Sequence, residues 1–196
     1  VVPTLALAEA LAAEWQAQEG KVRPETMPVT RTANSAIDKV APQHAAVADM
    51  LAAYGESDLL CYRAEGPEDL IHRQAQAWDP LLDWAATALS APLLVTSGVM
   101  HVAQPAQSLA TLASLVRALD PFRLAGFHDL VAISGSLILG LAVTHDRLTA
   151  EEAWTLSRLD EDWQAALWGV DEEAAETAAL KREAFLAADR FYGLCG

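Results

Sequence analysis

The chain has 196 residues, 53% hydrophobic and 20% charged, enough apolar material to bury a sizeable core and too much for intrinsic disorder. Its 13 Lys and Arg stand against 27 Asp and Glu, and the resulting net charge of −14 repels phosphate backbones and anionic lipid, so nucleic-acid and peripheral-membrane roles are not expected. Cys61 and Cys195 lie far apart with no CxxC and no Cys/His pair at ligand spacing, which argues against a disulfide scaffold or a zinc site.

Thr4 is positioned to cap a first helix running to about Gly20, with Leu5, Ala8, Leu11, Ala12 and Trp15 on its apolar face and Glu9 and Glu14 opposite. Val1 is not Met, and Pro3-Thr4 reads as a helix start joined to upstream chain. No basic segment followed by an apolar one marks a targeting peptide, so a cytosolic compartment is expected. After a Pro24–Pro28 connector, a short helix carries Ile37 and Val40 and places Arg31, Asn34 and Asp38 on one face. A third helix spans Gln43 to Tyr54, closed by Gly55. The compact run Asp58 to Ala64 is expected as a buried strand, and Leu93 to Val102 as a second. Between them a helix starts at Pro67-Glu68-Asp69, runs to about Trp78, and restarts at Asp79-Pro80.

From Ala106 onward the pattern is helical throughout: Ala106 to Leu119, Pro121 to Val143, Thr149 to Trp168 behind a capping box with Glu152, and Asp171 to Tyr192. The Leu130–Val143 run is shorter than the ~20 residues needed to span a bilayer and reads as a buried helix whose Gly135 and Gly140 permit close packing. The expected fold class is α+β, predominantly α, with a small β element over residues 58–64 and 93–102. The expected division is an α/β part over residues 1–104 and a C-terminal orthogonal helical bundle over 105–196.

GxSxG, GxGxxG, GxxxxGK[ST], HExxH and EF-hand patterns are all missing, and no Glu-x-x-His pair suits a di-metal bundle. No cofactor, metal or small-molecule substrate is expected. His128-Asp129 and His145-Asp146 flank the buried run, but neighbours on a helix do not face each other, so capping or surface roles are the simpler account of both. An enzyme with an unfamiliar site around His128 or His145, between sheet and bundle, is the rival reading. Of six Trp residues, Trp15, Trp84 and Trp154 fall on apolar faces and are expected in the core. Trp163 and Trp168 stand beside Asp160, Glu161 and Asp162, where an apolar anchor with an acidic rim suits a protein interface, although a merely solvated acidic face gives the same pattern.

Taken in order, these segments resemble the assembly chaperones of the F(1) sector of ATP synthase that act on the alpha subunit, the Atp-twelve family. The residues that carry the resemblance are Ala10 to Gln18, Thr32 to Asp38, Asp58 to Arg63, Arg73-Gln74 through Trp78 to Leu82, Leu156 to Glu161, and Gln164 through Trp168-Gly169. The resemblance implies a non-catalytic chaperone that binds the free alpha subunit, covers its beta-facing surface, and leaves when beta arrives. It implies a cytoplasmic, bacterial-type member, where eukaryotic members act in the mitochondrial matrix. It also implies a preceding β-rich portion whose strands would pair with those expected at 58–64 and 93–102. Carried over by position, the partner-binding residues are Glu161, Gln164, Trp168 and Glu172; after Glu172 the chain departs from the family pattern, with Glu173, Ala175 and Glu176. A structural helical subunit of another complex is a further alternative.

Overall fold

The computed structural model describes residues 1–196. Helix α1 (Leu5–Gln16) begins at Thr4, whose Oγ1 accepts from the Leu7 amide at 3.1 Å. It stops short of Gly20, and Trp15, expected in the core, is 54% exposed. The reason lies one residue earlier: the Glu14 carboxylate accepts from the amides of Val29 and Thr30 at 2.8 and 2.7 Å, capping α2 (Pro28–Ser35). With Glu14 turned to α2, its neighbour points about 100° away, into solvent. Helix α2 continues into a wide turn, Ala36–Val40, in which the Ala41 amide donates to the Ala36 carbonyl, and then into α3 (His44–Ala52). Leu7, Val29 and Ala33 pack with Phe191 and Cys195 in a small satellite core.

The β element is smaller than expected. Only Tyr62–Arg63 (β1) and Thr96–Ser97 (β2) are extended, pairing in parallel with Tyr62 opposite Thr96 and Arg63 opposite Ser97. Asp58 is the cause in the first segment. Its carboxylate accepts from the Leu60 amide at 3.1 Å and its carbonyl from the Cys61 amide at 2.9 Å, folding Leu59–Cys61 into a tight turn. In the second segment the Gln104 side chain takes both backbone groups of Leu94, at 2.7 and 2.9 Å, where a strand partner would otherwise pair. The molecule is predominantly α with one small parallel sheet.

Helix α4 (Glu68–Ala88) joins the two strands and runs unbroken through Asp79-Pro80, contrary to expectation. Pro80 removes only one ladder bond, and the buried face, Gln74, Trp78, Leu81, Leu82 and Ala85, continues across it, so packing overrides the local signal. After α5 (Ala106–Arg117), the apolar run expected as one helix is two, α6 (Pro121–Ser134) and α7 (Leu137–Thr144). Gly135 at φ +72° ends α6, and Asp58 starts α7, accepting from Ser136 Oγ at 2.7 Å and from the Ile138 amide at 3.0 Å. Gly140 has the packing role expected of both glycines, since a Cβ there would lie 2.8 Å from Val131 Cγ2.

The segment expected as one helix up to Trp168 is also two, α8 (Ala150–Ser157), with the expected Thr149–Glu152 capping box, and α9 (Leu159–Trp168). The Leu156 carbonyl, which an uninterrupted helix would give to residue 160, accepts instead from Trp78 Nε1 at 3.1 Å, and Gln74 Nε2 donates to Asp160 Oδ1 at 2.8 Å. Two side chains of α4 thus hold the elbow between α8 and α9. Helix α10 (Glu172–Leu194) buries Phe185, Ala188 and Phe191 in its C-terminal half and leaves residues 172–177 exposed.

Three outcomes follow for this core. Replacing Asp58 by Ala leaves three buried donors unmatched, each worth about 1–3 kcal/mol, and urea unfolding is expected to show a loss of at least ~3 kcal/mol. Burial, which raises the Asp58 pKa, outweighs the donors, which lower it. The contribution of Asp58 is therefore fully present below the unfolded value of 3.8 and is lost as pH rises through the folded one, so the stability of wild type relative to Asp58→Asn should fall over that rise; a growing difference contradicts this. Gly140→Ala forces a methyl onto Val131 and is expected to cost about 1–3 kcal/mol in the same measurement.

Candidate functional site

Beyond the elbow, α9 and the first half of α10 diverge and enclose an open groove of about 540 Å³. Gly169 at φ +91° ends α9, and Asp171 Oδ1 accepts from the Ala174 amide at 3.0 Å to start α10. The α9 wall presents Glu161, Gln164, Ala165 and Trp168. The α10 wall is built of small residues, Ala174, Ala175, Ala178 and Ala179, which leave the space that the groove occupies. Trp154 and Arg158 close its inner end.

Three of the four expected partner-binding residues, Glu161, Gln164 and Trp168, therefore line one surface. Glu172 does not; it is exposed on the first turn of α10, outside the groove lining. The two acid-flanked tryptophans separate: Trp163 packs against the core, whereas Trp168 is 78% exposed, with Leu167 and Val170 open to solvent beside it. The α10 wall was not singled out from the sequence, because alanines at helical spacing read as ordinary helix surface. The Gly169 stop and the Asp171 cap were the available signals that a second helix turns back there.

The cations at the groove are already engaged. Arg158 Nη1 lies 2.8 Å from Glu161 Oε1, with its guanidinium over the Trp154 ring at 5.7 Å, and Arg182 pairs with Glu151. Asp162 and Asp171 form no ion pair, so the rim is acidic around apolar side chains. Such a surface offers buried apolar contact and attraction for basic groups, and it brings no nucleophile together with a base.

The remaining chemical candidates disperse. His128 Nδ1 bonds Asp129 Oδ1 at 2.8 Å, so these neighbours do pair despite the expectation, in a cavity lined by α2, α3 and α6. His145 Nδ1 instead bonds the Leu141 carbonyl at 2.9 Å and its ring meets Trp84 edge-on. Burial pushes the Cys61 thiol up to about 12 and the Cys195 thiol up to about 11, leaving both weak nucleophiles. Arg31, Asn34 and Asp38 are all exposed, but only Arg31 lines the cavity beside His128. No group of three or more His, Cys, Asp or Glu is arranged to hold a metal ion.

Many of the sequence segments that carried the family resemblance serve as scaffold. Arg63, buried, pairs with Asp79 at 2.8 Å and lies over the Trp78 ring; Gln74 accepts from the Ala64 amide and donates to Asp160; Trp78 donates to Leu156. Comparison with known proteins agrees with this arrangement. The family model described as ATP12 chaperone protein matches residues 1–86. The crystal structure of Atp12 from Paracoccus denitrificans superposes at a TM-score of 0.98 with 54% identity, covering all of this chain and 84% of that one. A candidate chaperone from Agrobacterium tumefaciens superposes at 0.93 with 45% identity, over 98% of this chain and 72% of that one. With identity of this order over the whole of its length and a shared fold, this chain belongs to the ATP12 chaperone family.

Proposed function

We propose that this chain holds the free alpha subunit of the F(1) sector during ATP synthase assembly, using the groove between α9 and α10. Family membership makes it a chaperone of ATP synthase assembly. The choice of alpha as the client, and of the groove as the contact, is our reading. Its support is one observation: Trp168, Leu167 and Val170 stand exposed together beside an acidic rim, with the rest of the large aromatic side chains except Trp15 at least partly buried. An apolar anchor of this kind covers a client surface that is later buried against another subunit, and the acids at Glu161, Asp162 and Asp171 steer basic groups toward it. Glu172 extends the acidic rim at the start of α10 without entering the groove. The proposed action is cytoplasmic and non-catalytic: alpha is shielded on its beta-facing side until beta displaces the chaperone. No helix is long and apolar enough to cross a membrane.

Alpha subunit diluted from denaturant should scatter less light in the presence of this protein, and added beta should convert the held alpha into an alpha–beta complex. Undiminished aggregation contradicts the proposal. Trp168→Ala is expected to weaken the complex at least ~tenfold, since central aromatic anchors often contribute 2 kcal/mol or more, while the melting temperature stays near wild type because the ring is exposed. Glu161→Lys should weaken binding mainly through slower association and should flatten its salt dependence; an unchanged salt dependence excludes the rim as the steering element.

A further inference from the structure

A second cavity, about 400 Å³, lies on another face of the molecule between the α2 segment, α3 and α6. Arg31 and Lys39, like several other cations of this strongly acidic chain, make no ion pair and no side-chain hydrogen bond, and these two line one cavity together with the unpartnered hydroxyl of Ser35. The backbone explains their alignment. Positions 31, 35 and 39 are four apart, a spacing that drifts round a helix of 3.6 residues per turn. The wide turn at Ala36–Val40, bonded from Ala41 back to Ala36, takes up that drift and keeps Lys39 in line with Arg31 and Ser35.

The opposite wall supplies His128, bonded through Nδ1 to the single carboxylate of the lining, Asp129. That pairing raises the His128 pKa, favouring the form in which both ring nitrogens donate, and it leaves Nε2 without a partner. Thr32 also lines the cavity, its hydroxyl already donating to the Pro28 carbonyl at 3.1 Å, and the rest of the lining is apolar, with Val47 and Met50 from α3. Two free cations, a hydroxyl and an imidazole thus converge on a pocket of the size that binds small molecules, with hydrophobic side chains at one side.

We propose that this cavity is a binding site for a small oxyanion, a carboxylate or a phosphate, held by Arg31 and Lys39 with Ser35 and His128 donating. The site is separate from the α9–α10 groove and does not depend on which subunit that groove receives. Isothermal titration calorimetry with inorganic phosphate and with hexanoate, at ionic strength held constant with chloride, tests it. Saturable binding of at least one anion is expected. Preference for phosphate identifies a phosphate-bearing ligand; preference for hexanoate identifies a carboxylate whose chain packs on Val47 and Met50.

The Arg31→Gln/Lys39→Gln variant should bind at least ~tenfold more weakly, as expected for losing charged hydrogen bonds. Lys39→Gln alone, a change at an exposed position, should retain the fold and weaken binding by a smaller factor. Arg73→Gln/Arg190→Gln removes the same charge elsewhere and should leave affinity unchanged. Absence of binding by both anions, or equal weakening in the two double variants, overturns the proposal.

Discussion

The interaction on which the candidate site depends is the grip of α4 on the α8–α9 elbow. Trp78 takes the Leu156 carbonyl out of the helical ladder, and Gln74 reaches Asp160 two residues past Arg158, so the chain cannot continue straight and α9 leaves at an angle. Trp78 is fully buried and Gln74 nearly so, which makes each hydrogen bond costly to lose. The same Gln74 side chain accepts from the Ala64 amide next to β1, tying the sheet to the elbow through a single residue. The groove is then what remains when α9 departs on one side and α10 returns on the other behind a wall of alanines.

Asp58 does for the interior what α4 does for the elbow. Its carboxylate satisfies the tight turn before β1 and the first turn of α7 at once, joining segments 80 residues apart at a fully buried point. This explains why an acidic residue occupies the centre of a chain that otherwise keeps its many acids outside. Rigid support of this kind suits a binding protein whose contact residues project from an exposed arm, because the client surface then meets preset walls instead of ordering them.

Helix identity was legible wherever period and caps agreed: Thr4, Thr149 with Glu152, and Asp171 all cap where their sequence positions indicate. Several of the misreadings share a cause, which is that a deciding partner lies far along the chain. Nothing near Ser157 shows Trp78, and nothing near Trp15 shows that Glu14 is turned toward α2, whereas the break inside Leu130–Val143 has local signals as well as Asp58: Gly135 stops α6 and Ser136 Oγ accepts from the Leu139 amide at 3.0 Å. The two strands were placed correctly but drawn too long, since side chains of Asp58 and Gln104 take backbone positions that a ladder would use. For the groove, α9 could be read from its aromatic and acidic residues, whereas the alanines of the facing wall become informative only once the turn at Gly169–Asp171 sets them opposite Trp168.

The central claim, that the free alpha subunit is held on the groove between α9 and α10, is tested most directly by amide hydrogen exchange of this protein alone and in complex with alpha. The account requires added protection across residues 161–179, with the α4 scaffold and the α2–α6 cavity unchanged. Protection confined to another surface, with 161–179 exchanging as in the free protein, would contradict it.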